Sequence, residues 1–310
     1  MRVPTRDDIV AAAKRISGLV KRTPVMTSRA LNSMVGAELF FKCEHLQSAG
    51  AFKFRGATHV LSLLSDEEKR RGVITHSSGN HAQALALAAQ RAGVAATIVM
   101  PEGSNPLKKA ATEAYGAKII ECVNTQRDRE ATCRAEMERT GMLLVHPYDD
   151  WRIIAGAGTA ALELLEDHPD LDAIVTPVGG GGLLSGTALA APACEIYGAE
   201  PAGADDAYRG FHSGERVTEL APNTVADGLR TCLGELNFQV IRREVTGIGL
   251  ATDPEILQAM SLVHTRMKQL IEPSSSVPLA CLLNGSIAAT GRIGIIISGG
   301  NTALGRSGHF

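Results

Sequence analysis

Short apolar runs alternate with stretches of helical periodicity along this chain of 310 residues, and that alternation is what most constrains its fold. Runs at 39–42, 73–76, 96–100, 118–121, 143–146, 173–178 and 293–298 read as strands. Between several of them lie helical patterns, at 82–91, 106–115, 129–139 and 160–167. Strands separated by helices pair in parallel, with helices packed on the sheet faces, so the expected class is α/β. No internal repeat or low-complexity segment is evident.

A chain of this length can bury a large core in one or two domains. Its formal net charge is −2 and it has no basic tract, so nucleic acid is not an expected partner. No apolar run reaches membrane-spanning length, and the start Met1-Arg2-Val3-Pro4-Thr5-Arg6-Asp7-Asp8 lacks the features of a signal peptide. Cys43, Cys122, Cys133, Cys194, Cys232 and Cys281 show neither close pairing nor metal-ligand spacing, and read as reduced thiols of a cytoplasmic protein.

Four loops carry the chemistry. In Ser48-Ala49-Gly50-Ala51-Phe52-Lys53-Phe54-Arg55-Gly56, a glycine-containing loop opens a helix. Phe54, Ala57, Val60, Leu61 and Leu64 form its buried face, so Lys53 projects from the helix start. The helix dipole there disfavours an ammonium, and a neutral amine can form a Schiff base with a carbonyl cofactor. In the second loop, His76-Ser77-Ser78-Gly79-Asn80-His81, a strand gives way to an alanine-rich helix whose free amides suit a carboxylate. The third, Gly179-Gly180-Gly181-Gly182, lies between a strand and a helix and lets backbone amides approach a phosphate closely. It lacks the Lys-Ser ending of a nucleotide P-loop. The fourth, Ser298-Gly299-Gly300-Asn301, follows the last strand; its serine hydroxyl would leave a pyridine nitrogen largely unprotonated. Taken singly, each has an ordinary reading: a solvated lysine, an N-cap serine, a flexible turn, a strand-end turn.

In order and spacing, these segments together resemble the fold-type II pyridoxal-phosphate enzymes, whose architecture is tryptophan synthase β-like. The branch they most resemble is that of serine/threonine dehydratases, serine racemases and threo-3-hydroxyaspartate ammonia-lyases. The resemblance covers nearly the whole chain. It implies two open, twisted, mostly parallel sheets with flanking helices, in a large domain of residues 1–71 and 150–310 and a small mobile domain of residues 72–149. It also implies that Lys53 holds pyridoxal 5'-phosphate and acts as catalytic base, and that Phe52 packs against the ring. Asn80 would bond the phenolic oxygen, Gly179, Gly180, Gly181 and Gly182 would cradle the phosphate, and Ser298 would face the ring nitrogen. Ser78 would be the second catalytic group, on the opposite face. Ser77, Ser78, Gly79, Asn80 and His81 would hold the substrate carboxylate, and Arg129 a distal one.

Glu200 and Asp206, in Glu200-Pro201-Ala202-Gly203-Ala204-Asp205-Asp206, supply hard oxygens that suit Mg²⁺, Mn²⁺ or Ca²⁺; a solvated acidic turn is the plainer reading. Serine racemase-like enzymes carry this pattern at a divalent-cation site, which implies Glu200, Ala204 through its carbonyl, and Asp206 as ligands. Position 51 is alanine where many dehydratases have serine, and position 157 is alanine where the family usually has glutamine.

The implied function is a PLP-dependent ammonia-lyase that converts a β-hydroxy amino acid (serine, threonine or 3-hydroxyaspartate) to a 2-keto acid and ammonia. A serine racemase with dehydratase side activity is the alternative, and a homodimer the expected assembly. Two remoter readings are a non-catalytic ligand-binding protein and an NAD-dependent dehydrogenase. The second rests on Gly156-Ala157-Gly158-Thr159-Ala160-Ala161, which fits a dinucleotide fingerprint without a good preceding strand.

Overall fold

The computed structural model describes residues 2–104 and 106–302; Met1, at the head of the N-terminal segment weighed above, lies outside the described residues. Among them the strands are β1 (Val25–Thr27), β2 (Glu38–Cys43), β3 (Val73–His76), β4 (Ala96–Pro101), β5 (Lys118–Cys122), β6 (Leu143–Leu144), β7 (Ala173–Pro177), β8 (Glu195–Pro201), β9 (Gly247–Ala251) and β10 (Arg292–Ile297). They form two sheets, ordered β1-β2-β10-β7-β8-β9 and β5-β4-β3-β6. Every pair is parallel except the antiparallel β1–β2. The α/β class with two mostly parallel sheets and flanking helices is therefore observed.

Helices cover both faces of the larger sheet, so its inner strands are apolar almost throughout. Ile293, Ile295, Ile296 and Ile297 of β10 are all buried, as are Ala173, Ile174 and Val175 of β7. Each fully buried side chain of this size contributes about 1.5–3 kcal/mol. The Lys53–Leu63 helix buries Phe54, Ala57, Val60, Leu61 and Leu64 against the Asn80–Ala92 helix and Ile153. The predicted apolar face of that helix is thus the buried one.

Several expectations change in detail. The run at 143–146 forms strand only at β6, because His146 Nδ1 accepts the N–H of Tyr148 at 3.3 Å and of Asp149 at 2.8 Å and bends the chain into a turn. The pattern at 160–167 is the end of one long helix, Trp151–Asp167, capped by the Asp150 carboxylate on the Arg152 N–H. That helix overturns the dinucleotide reading. Gly156 and Gly158 lie inside it, where a Cβ would come within 2.6 Å of the backbone of Gly56 and of Gly186. They are glycines so that helices can cross closely. Strands β8 and β9 carried no sequence prediction. Gly249 interrupts the β9 pattern because a Cβ there would press on Ile287, at 2.5 Å, and on Ser286.

The candidate loops follow directly from this topology. In open parallel sheets, ligands bind beyond the carboxyl ends of the strands. β2, β10 and β7 are neighbours, and their ends lead to Lys53, Ser298 and the four glycines. An isolated bridge between Ala51 and Gly299 ties the first two loops together. β3, of the smaller sheet, ends at His76 and leads directly into Ser77.

Candidate active site

One cavity of about 480 Å³ gathers these loops: Phe52, Lys53, Ser77, Ser78, Gly79, Asn80, His81, Arg129, Gly179, Gly180, Gly181, Gly182 and Ser298 all line it. Lys53 is the first residue of its helix, as expected. The turn before it is strained, with Ala49 at φ +57° and Gly50 at φ +71°. Asn301 Nδ2 donates to the Ala49 carbonyl at 2.8 Å and helps hold that turn. Behind the helix, buried Arg55 donates to Glu44 at 2.7 and 2.8 Å and to Glu163 at 2.8 Å, and buried Lys42 donates to Glu163 at 2.7 Å. Two cations and two carboxylates satisfy one another there, which keeps their burial affordable and fixes the helix start.

The Lys53 amine donates to the Pro147 carbonyl at 2.7 Å and lies 5.1 Å from the Phe52 ring centre and 5.9 Å from that of Tyr148. Burial pushes its pKa down from 10.5 to about 8. Desolvation, more than the helix dipole invoked from sequence, thus favours the free amine.

Packing leaves no room for a side chain at Gly179, Gly180 or Gly181. Gly181 caps the following helix at φ +92°, and a Cβ on it would lie 2.7 Å from Asn237 Cβ. A side chain at Gly180 would run into the Tyr148 ring. The chain there is bare backbone at a helix start, a fitting cradle for a phosphate.

Asn80 opens its helix, and its Nδ2 donates to both oxygens of Glu272, at 2.8 and 3.0 Å. Asn301 Nδ2 donates to Asn80 Oδ1 at 3.0 Å. Ser298 pairs with the hydroxyl of Ser275 at 3.0 Å. Ser78 is half-buried in the cavity wall. Arg129 Nη2 donates to Asn124 Oδ1 at 2.6 Å, while its buried Nε has no partner among the described residues.

His81 also lines the cavity, but its ring turns away: Nε2 meets the Val145 carbonyl at 3.2 Å, and burial holds its pKa well below 6.5. Its contribution to an anion site would come from the backbone. His146 is likewise neutral, pushed down to about 4 by burial, with His76 and Lys53 adding to the effect.

The chain matches the family described as Pyridoxal-phosphate dependent enzyme over residues 16–299. This chain belongs to that family. Its relatives include the β-hydroxyaspartate dehydratase of Paracoccus denitrificans (strain Pd 1222), 46% identical over 98% of each chain. The L-threo-3-hydroxyaspartate ammonia-lyase of Saccharomyces cerevisiae (strain ATCC 204508 / S288c) is 47% identical over 99% of this chain and 96% of its own. The crystal structure of serine racemase from Dictyostelium discoideum superposes with a TM-score of 0.93 at 45% identity, covering 98% of this chain and all of that one. For a pyridoxal-phosphate enzyme the cavity fits: an amine of lowered pKa, a bare glycine cradle and two polar side chains, Asn80 and Ser298, in one wall.

Sequence reasoning missed several lining residues. Glu272, fully buried as a residue, is pushed up from 4.5 to about 7, mainly by burial. Lys108 and Asp227 form an ion pair of 2.5 Å across the cavity wall. Tyr148, pushed up to about 12 by burial, covers the glycine loop. Only the Glu272-Pro273 step, a helix-start signal, could have drawn attention to Glu272.

Away from the cavity, Glu200 and Asp206 are buried at 0% and 1% exposure. Glu200 accepts the N–H of Ala207 at 2.9 Å and of Tyr208 at 2.8 Å; Asp206 accepts that of Leu233 at 2.8 Å. Asp206 Oδ1 has no partner among the described residues. Burial raises Glu200 well above 4.5 and Asp206 to about 6, and each is raised further by a neighbouring carboxylate. Among the described residues no group of three or more His, Cys, Asp or Glu side chains forms a metal cluster, so a cation here would also need backbone or water oxygens. Two buried carboxylates and an orphaned oxygen fit a hard cation. Ala204 is buried in the same turn, its N–H donating to the Pro201 carbonyl at 2.9 Å.

Proposed function

We propose that the chain is a pyridoxal-phosphate-dependent ammonia-lyase acting on a β-hydroxy amino acid, with 3-hydroxyaspartate the best-supported substrate. The observation that carries the reading is the Lys53 amine, in the cavity wall and at a lowered pKa, in a chain of this family. Two relatives named for hydroxyaspartate, at 46% and 47% identity, support the choice of substrate. So does Arg129, whose Nε lacks a partner among the described residues and whose charge suits a second carboxylate.

When bound, the cofactor would supply an electron sink for the negative charge left on the α-carbon of a substrate held through its amine. Lys53 would hold it, Phe52 would flank the ring, Asn80 and Ser298 would meet its polar edges, and Gly179, Gly180, Gly181 and Gly182 would receive the phosphate. The backbone amides from Ser77 to His81 bind the substrate α-carboxylate, and Arg129 the distal one. Set free when the substrate amine takes its place on the cofactor, Lys53 would withdraw the α-proton, because burial favours the neutral form of its amine. The β-hydroxyl then takes up a proton and leaves as water, and the resulting enamine tautomerises to an imine that water hydrolyses to keto acid and ammonia. The Ser78 hydroxyl faces the same cavity and supplies a proton from the other side, giving the racemase activity as the second reading; the likeness to serine racemase supports it.

Glu200, Asp206 and the Ala204 carbonyl hold Mg²⁺, Mn²⁺ or Ca²⁺. Residues 72–149, which contain the smaller sheet, move as a unit against the remainder. The protein is a cytoplasmic homodimer; its six free cysteines support a reducing compartment, and among the described residues no helix is long and apolar enough to cross a membrane. Release of keto acid from serine, threonine and each 3-hydroxyaspartate stereoisomer, with enantiomer-resolved analysis of recovered substrate, tests this reading. Activity confined to some other substrate class would refute it.

A further inference from the structure

The helix Pro273–Leu283 is capped by Glu272, and the side chains of its first turn reach three separate places in the cavity wall. Both Glu272 oxygens accept from Asn80 Nδ2. Ser274 Oγ accepts the Gly228 N–H at 2.9 Å. Ser275 Oγ donates to the Gly299 carbonyl and accepts the Gly299 N–H, both at 2.7 Å, and meets Ser298 Oγ at 3.0 Å. We propose that this turn positions both polar contacts of the cofactor ring, Glu272 by setting the direction of the Asn80 amide and Ser275 that of the Ser298 hydroxyl.

Donor counting supports each half. A carboxamide has one donor end and one acceptor end. Asn301 gives an N–H to Asn80 Oδ1, and Glu272 takes one from Nδ2. Flipping the amide would set oxygen against carboxylate and nitrogen against nitrogen. The flip is therefore excluded, and the second Nδ2 hydrogen remains to meet an oxygen in the cavity. Ser275 has a single proton. When it goes to the Gly299 carbonyl, Ser298 donates to Ser275; when Ser298 turns its proton toward the cavity, Ser275 can donate to Ser298 instead. Ser298 keeps its place in either arrangement, so it can present a proton or a lone pair to a ring nitrogen without losing its support. Glu272 and Ser275 are positioning residues, acting through Asn80 and Ser298.

This inference rests on the ring lying between Asn80 and Ser298, and the experiment separates the two. Holoenzyme is prepared for wild type and for Asn80→Ala, Ser298→Ala, Glu272→Ala, Glu272→Gln, Ser275→Ala and Ser275→Thr. The readouts are the absorbance and fluorescence of bound cofactor, its dissociation constant and the melting temperature. Glu272→Ala and Ser275→Ala should change the balance or position of the absorbance bands and weaken cofactor binding about tenfold, the loss of one charged or buried hydrogen bond. Glu272→Gln and Ser275→Thr, which keep an acceptor or a hydroxyl, should largely restore both. Adding Glu272→Ala to Asn80→Ala, or Ser275→Ala to Ser298→Ala, should change the spectrum no further.

Wild-type spectra and affinity in Glu272→Ala and Ser275→Ala would overturn the inference whatever their melting temperatures, as would additive double variants. Unchanged spectra in Asn80→Ala and Ser298→Ala would instead refute the ring placement itself. Should alanine at 272 prevent folding, the Ser275 and Ser298 variants alone decide.

Discussion

Lys53 donates a 2.7 Å hydrogen bond to the backbone carbonyl of Pro147. The two residues lie far apart in sequence. The bond holds the amine against the turn that also carries His146 and Tyr148, so the lysine meets the cavity already oriented, with a pKa of about 8.

Replacing Lys53 with methionine should lower ammonia release by roughly a thousandfold or more. It should also change the pH dependence of stability in cofactor-free protein. The folded pKa of about 8 lies below the ordinary 10.5, so between those values the unfolded chain binds more protons. Relative to the variant, wild type should therefore gain stability with pH across that window, by about 3 kcal/mol in all. Melting curves from pH 7 to pH 10.5 check it.

The four loops were legible because each combines a strand end, small residues and a helix start, and these features are local. The sheet order then explains why loops at residues 53, 179–182 and 298 converge: β2, β10 and β7 are neighbours. Glu272, Ser275, Asn301 and the Lys108–Asp227 pair were not legible, because their meaning lies in pairings across the fold. Gly156 and Gly158 suggested a nucleotide turn from spacing alone, whereas their function is helix crossing, a property of the partner helices.

Ser78→Ala should separate the two activities. Lyase turnover of the preferred L-substrate should fall by no more than about fivefold, while inversion at the α-carbon should fall about a hundredfold, the usual cost of removing a proton-transfer group. Chiral chromatography beside a keto-acid assay measures both. Equal retention of racemisation would remove Ser78 from the second face.

Chelation should destabilise the protein, more so at higher pH. Glu200 and Asp206 have raised folded pKa values, Asp206 at about 6, so without a cation their protons are favoured in the folded state. The folded protein then binds more protons than the unfolded chain, and stability is lost as pH rises through about 6. Mg²⁺, Mn²⁺ or Ca²⁺ should reverse that loss. The gap between melting temperatures with and without cation should widen from about pH 4 through about pH 6 as Asp206 titrates, with Glu200 extending it upward; a gap of zero throughout contradicts the site.

Arg129→Met should raise KM for 3-hydroxyaspartate about tenfold or more while leaving that for serine within about threefold, because only the former brings a distal carboxylate. Steady-state kinetics on both substrates decide. Equal effects on the two would make Arg129 a general support of the cavity wall.

The most direct measurement supplies L-threo-3-hydroxyaspartate to holoenzyme and to its Lys53→Ala variant and quantifies keto acid and ammonia together. Wild type should release the four-carbon keto diacid and ammonia in equal amounts, and the variant should release neither above background. Comparable release by the variant with cofactor bound, or no release by wild type from 3-hydroxyaspartate, serine or threonine, would contradict the proposed function.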